Sequence, residues 1–172
     1  MNETSLEKIA QFIANELKKE SITYSNLNIS LSLARKIVYK VEQKASEIGV
    51  NAVVSIVNSA ARPVITECMD NSYIASFDIA SNKAFTCVSL KMPTSALKKL
   101  SYPRGPLYGI QNTNDSKIVI FGGGEPLIYN GVIIGGIGVS GGTEEQDTFL
   151  ASYGAEIFNS EIRKTVNFQE RK

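Results

Sequence analysis

Apolar residues recur along this chain with two different spacings, and the places where the spacing changes mark its elements. Leu6, Ile9, Ala10, Ile13 and Leu17 fall on one face of a helix over about 5–19, opened by a Thr4-to-Glu7 capping box. A polar stretch, 20–28, follows. Ala34, Ile37, Val38, Val41, Ala45 and Ile48 stripe a second helix, about 30–48, which Gly49 is placed to end. Ala52 to Val57 and Val64 to Cys68 are β-rich runs joined by the turn Asn58 to Pro63, so the two predict a hairpin.

A third helix, about 72–90, presents Tyr73, Phe77, Ala80, Ala84 and Val88 on one face. Ser76, Ala80 and Ala84 recur every fourth position, which permits close packing on a sheet, a helix or a second subunit. Thr94 is placed to cap a short helix through Leu100, and 101–114 reads as an ordered loop. Lys117 to Phe121 is expected to be a strand. Pro126 to Tyr129 and Val132 to Val139 are joined by Asn130-Gly131, a pair suited to the two positive φ angles of a type I′ turn. Thr143 and Gln146 form another capping box, opening a last helix to about Arg163. Hairpins dominate, so the fold class is α+β with a mainly antiparallel sheet.

Composition narrows the chemistry. The 172 residues hold 18 Lys+Arg, 17 Asp+Glu and no histidine. Without histidine there is no Ser-His-Asp triad, no Cys-His pair and no imidazole ligand for a metal. The near-zero net charge gives no electrostatic case for nucleic acid. Cys68 and Cys87 lack zinc spacing and are expected to be reduced in a cytoplasmic protein. The N-terminus does not read as a signal peptide. The longest apolar run, Val132 to Val139, is interrupted by Gly135, Gly136 and Gly138 and is too short to cross a membrane.

Gly136-x-Gly138-x-x-Gly141 matches the dinucleotide fingerprint. The surroundings argue against that use. Too few residues follow the last helix to supply a second parallel strand. Glu144, Glu145 and Asp147 also occupy the first turn of that helix, where a phosphate would sit. Close backbone approach is the simpler reading of these glycines. Gly122-Gly123-Gly124 is not a Walker loop; it suits bare amides offered to a ligand, contact with a neighbouring subunit, or a local turn.

Several segments in order carry a likeness: Asp78-Ile-Ala with Lys83-Ala84-x-Thr86, Leu90-Lys-Met-Pro-Thr-Ser95, Pro106-Leu-Tyr-Gly-Ile-Gln-Asn-Thr-Asn-Asp115, Phe121-Gly-Gly-Gly-x-Pro126, and Gly135 to Gly142 with Asp147. Over about 25–160 the chain resembles the GlcG/HbpS family, and most of all the C-terminal domain of PduO-type proteins. The resemblance implies a profilin-like, five-stranded antiparallel sheet flanked by helices, assembled as a homo-oligomer. It implies a haem- or corrinoid-associated role in coenzyme B12-dependent microcompartment metabolism. Adenosyltransferase activity is not implied, because in PduO proteins it belongs to a separate helical domain. The sequence departs from the family in two places. Asn58-Ser-Ala-Ala61 stands where Asp-x-x-Gly is usual, and Cys68 stands where Arg commonly precedes Met.

On this basis 25–165 is expected to be the domain, 166–172 a tail, and 1–24 an appended amphipathic helix and linker. That helix resembles an encapsulation peptide docking on shell or cargo proteins through 5–19. Haem held by histidine is excluded; Met69, Cys68, Cys87, Met92 or a tyrosine remain as iron ligands. A small-molecule site is expected among Met69, Asp70, Asn71, Lys83, Tyr108, Gly122, Gly123, Gly124 and Glu125. Lys83 falls among apolar helix positions and is expected to point toward Asp70 or Glu125. Three functions follow: a non-catalytic haem or corrinoid protein, an enzyme using Asp70 and Lys83 on a small hydroxyacid or aldehyde, or a ligand-free structural oligomer.

Overall fold

The computed structural model describes Gln11 and residues 28–169. The N-terminal helix and linker expected over 1–24 therefore lie outside the described residues, Gln11 excepted. Four helices and four strands follow: α1 Leu31–Glu47, β1 Val53–Asn58, β2 Pro63–Cys68, α2 Ser76–Ser89, α3 Thr94–Leu100, β3 Gly124–Tyr129, β4 Val132–Ser140 and α4 Glu144–Gln169. The strands form one antiparallel sheet in the order β2-β1-β4-β3. Helix α2 packs on one face, and α1 and α4 on the other.

The two central strands are covered on both sides. On the α1/α4 side, Val54, Ile56, Ile137 and Val139 meet Ile37, Val41, Leu150 and Phe158, all buried. On the other side Val57 packs with Ala84, Cys87 and Val88. Helix α2 lies unusually close to β4. A Cβ on Gly138 would fall 2.0 Å from the Ala80 carbonyl oxygen, and one on Gly136 would fall 2.7 Å from Cys87 Sγ. The strand glycines and the small helix residues Ala80 and Ala84 thus answer each other inside one chain. The small-residue stripe is used in this packing, not in meeting a second subunit.

Local signals set several boundaries. Ser30 caps α1 by accepting the Leu33 N–H. Asn130 and Gly131 turn the β3–β4 hairpin with φ +48° and +78°. The second capping box forms as expected: Thr143 N–H donates to Gln146 Oε1 at 2.9 Å, and Gln146 N–H donates to Thr143 Oγ1 at 3.3 Å.

Four expectations are corrected. Among the described residues the sheet has four strands, because 117–121 does not pair with it. Val119 N–H instead donates to Thr86 Oγ1 at 3.0 Å, tying the segment to α2 through a side chain. Helix α2 begins at Ser76, after a turn in which Asn71 adopts φ +63°, so Tyr73 lies outside it and Phe77 is half exposed. Its inward face is Ser76, Ala80, Lys83, Ala84 and Cys87. Thr94 does not cap α3; its hydroxyl accepts the Gly124 N–H at 2.9 Å. Helix α4 continues to Gln169, past Arg163.

The departure at the β1–β2 turn has a physical consequence. Asn58 Oδ1 accepts the N–H groups of Ala60 and Arg62, doing the work of the usual Asp. Ala61, where Gly is usual, sits at φ +55°. An L-residue with a Cβ is strained there. Ala61→Gly should therefore raise the unfolding free energy by about 0.5–1 kcal/mol in a urea titration; a loss of stability would show that the turn is not strained.

Candidate functional site

Two places gather the residues singled out by the sequence, and they are chemically different. The first is interior. Lys83 comes from the buried face of α2 and Asp147 from the first turn of α4, so the pair joins elements on opposite faces of the sheet. The side chains are 0% and 4% exposed, with Nζ 2.7 Å from Oδ2. Lys83 also donates to the Val139 carbonyl at 2.8 Å, and Asp147 Oδ1 accepts the Gly142 N–H at 2.9 Å. The Phe121 ring lies 4.9 Å from Nζ. Burial pulls the Lys83 ammonium below the usual lysine range, against the opposing pull of Asp147. Burial likewise lifts the Asp147 carboxyl above the usual carboxylate range.

Gly123 makes this arrangement possible. Its φ is +107°, and a Cβ there would stand 2.7 Å from Lys83 Nζ and 2.9 Å from Asp147 Cβ. The glycine run does not present three bare amides. Gly122 N–H donates to Glu144 Oε1 at 2.9 Å, and Gly124 N–H to Thr94. Glu144 also bonds Lys98, and that bond first, then the Gly122 N–H, holds its carboxyl below the usual range. Lys83 therefore meets Asp147, not Asp70 or Glu125. Glu125 is half buried on β3, 3.5 Å from the Ser152 hydroxyl, with its pKa raised by burial. Tyr108 is exposed in the 101–116 loop.

The second place is a surface groove where β2 ends. Met69, Asp70 and Asn71 line it with Tyr39, Glu42 and Cys68, in a volume of about 530 Å³. Asn51 and Asn71 are shared with a neighbouring cleft of about 470 Å³, lined also by Tyr73, Gly141, Gly142 and Gln146. Met69 is anchored, because its Sδ accepts the Ala52 N–H at 3.3 Å. Burial first, and then the Glu67 charge, raise the Glu42 carboxyl above its usual range. Cys68 is exposed and free, whereas Cys87 is buried and burial pushes its thiol well up. The structure thus unites Met69, Asp70 and Asn71 in one groove and sets Lys83 with Gly122 to Gly124 in the interior.

Sequence reasoning did not assign Asp147 to Lys83. A signal was present: Asp147 heads the stripe Leu150, Ala151, Gly154, Phe158, all buried. An acid on the apolar face of a helix needs an internal partner.

Helices on both faces of a glycine-bearing antiparallel sheet, pinned by this ion pair, define an α+β domain of the HbpS-like class. The chain belongs to that family: the family described as haem degrading protein HbpS-like matches residues 29–156. It is 44% identical over 131 residues to an uncharacterized 15.0 kDa protein in the dhaT-dhaS intergenic region of Citrobacter freundii, covering 76% of this chain and 92% of that protein. It is 29% identical over 154 residues to the corrinoid adenosyltransferase PduO of Citrobacter freundii, covering 90% of this chain but only 46% of PduO. The solved structure of a PduOC:haem complex aligns with a TM-score of 0.74 at 32% identity, over 76% of this chain and 95% of that one. Among the described residues, no helix is long and apolar enough to cross a membrane.

The ion pair can be tested by breaking it. Lys83→Met leaves Asp147 buried without its cation, which should cost about 3–5 kcal/mol at neutral pH. The Asp147 pKa is raised in the folded state, so an uncompensated carboxylate penalises folding above its folded pKa and ceases to do so below its unfolded value. The deficit against wild type should therefore shrink as the pH falls into the carboxylate range. Equal deficits at both ends of a pH series of denaturant titrations would show that the lost stability is not this charge.

Proposed function

We propose that this chain is a non-catalytic binding or accessory protein for haem or a corrinoid, acting as a homo-oligomer in B12-dependent microcompartment metabolism. The observation that carries the reading is the groove at the end of β2, in a fold whose 32%-identical relative was crystallised with haem. The donor set on that groove suits a tetrapyrrole metal. Cys68 offers an exposed soft sulfur, and Tyr39 and Met69 offer an aromatic face and apolar surface. Cys87 is unsuited, since a buried protonated thiol cannot coordinate. When bound, such a group supplies a metal centre whose reactivity is set by its axial ligand. Cys68 would hold the metal, and Tyr39 and Asn71 would supply an aromatic and a polar contact from the same groove.

Adenosyl transfer is not expected, because the chain spans under half of PduO and the resemblance places that chemistry in a separate domain. The reading that uses Asp70 and Lys83 together in catalysis loses its geometric basis, since Lys83 is enclosed with Asp147. The oligomer proposal rests on exposed apolar residues around the start of α2: Tyr73 and Ile74 in the turn before it, the latter 98% exposed, and Phe77 in its first turn.

Haemin titration of the full chain, followed at the Soret band on material whose mass is set by light scattering, tests the proposal. Saturable binding to a species larger than the monomer is the expected result, with aquocobalamin as the parallel arm. Cys68→Ser should weaken haemin binding by roughly tenfold or more and remove the spectral signature of thiolate ligation. No saturable change with either ligand would end the reading. Unaltered spectra in Cys68→Ser would move the metal ligand away from that groove.

A further inference from the structure

A third concavity has no part in the ion pair or in the β2 groove. It lies where the described chain enters the fold, between α1, β4 and α4, and has a volume of about 240 Å³. Its walls are Ile29, Leu33, Ile134 and Ile162, and Lys36 and Glu161 stand at its rim, 3.7 Å apart. Ile29 is fixed there, its N–H donating to the Ile134 carbonyl at 3.1 Å. The walls are mainly apolar.

We propose that the amphipathic segment 5–19 of the same chain seats its apolar stripe on this groove. The stripe is Leu6, Ile9, Ala10, Ile13 and Leu17. Gln11 is helical and exposed. At about 100° per residue it lies roughly 150° round from the centre of that stripe, on the side a docked helix would leave in water. Reach is no obstacle: residues 20–27 span roughly 25 Å when extended, and they lead directly into Asn28 and Ile29 of the groove wall. A short tether gives an effective concentration in about the millimolar range, so a modest apolar contact suffices. Charge is compatible as well. The segment carries Glu7 and Glu16 at the flanks of the stripe, with Lys8 and Lys18 further round, and the rim presents one group of each sign. A short helix with an apolar face needs such a partner to be stable in water.

The test compares the full chain with an Ile9→Asp/Ile13→Asp double variant and with a deletion of residues 1–22. Hydrogen exchange is read at 29–36 and 158–164. Docking predicts that both changes speed exchange there by roughly tenfold or more, with α2 and β4 unaffected. A second measurement pairs Ile13→Cys with Leu33→Cys in a Cys68→Ser background, using mixed heavy and light chains. A crosslink within single chains supports the proposal. Equal exchange in all three proteins overturns it and frees the stripe for an external partner such as a shell protein. A crosslink found solely between heavy and light chains also overturns it, by showing that the groove receives a neighbour's segment.

Discussion

Enclosing the Lys83–Asp147 pair imposes a constraint that much of the structure answers to. Removing both charges from water is costly, and the cost is recovered only if their remaining hydrogen-bonding capacity is met. Here Val139 supplies an acceptor and Gly142 a donor, both from backbone at the end of β4. The partners arise from helices on opposite faces of the sheet, so the link passes the start of β3, where Gly123 leaves the necessary gap. Moving α2 outward by the width of a methyl group would lengthen the Lys83 bonds. The glycines at 136 and 138 hold α2 close to β4 and so keep Lys83 within reach.

This explains a pattern that sequence reading could only bracket. Gly136-x-Gly138-x-x-Gly141 has the spacing of a phosphate loop, but Gly136 and Gly138 face helix α2 and Gly141 faces the segment that leads into β1. A Cβ on Gly141 would meet the Asn51 carbonyl oxygen at 2.5 Å. The acids that argued against a phosphate have positive roles here. Asp147 takes the Gly142 amide and Glu144 takes the Gly122 amide, so internal carboxylates hold two amides of the glycine loops.

What was legible in the sequence was local. The Thr143–Gln146 box, the Asn130-Gly131 turn and the α1 stripe depend on neighbours within a few positions, and each formed as read. What was illegible depended on distant partners. Lys117 to Phe121 has strand-like residues, but whether an extended segment joins a sheet is decided by the free edge it meets; this one found Thr86 instead. Lys83 was recognisable as a charge among apolar positions. Its partner lies 64 residues away, and Asp147 was concealed among three acids whose ordinary role at a helix start was sufficient explanation. The site residues divided for the same reason. Met69, Asp70 and Asn71 are contiguous and stayed together, whereas grouping them with Lys83 and Gly122 to Gly124 required a tertiary contact that the fold does not make.

The division also bears on where ligand chemistry can occur. A lysine and an aspartate that satisfy each other, with no solvent exposure at the lysine, cannot bind a substrate without breaking the link between α2 and α4. Accessible polar groups gather where the sheet's outer strand ends. There β2 delivers an exposed thiol, and the turn after it delivers Asp70 and Asn71 beside the α1 residues Tyr39 and Glu42. Met69 is tied to Ala52 through both its backbone N–H and its sulfur, so this turn is anchored to β1 while its neighbours stay accessible. A rigid interior set by the ion pair and an anchored turn at the sheet's edge are thus two consequences of one fold. The first sets Gly136 and Gly138 against α2, and the second leaves Cys68, Asp70 and Asn71 accessible beside the groove.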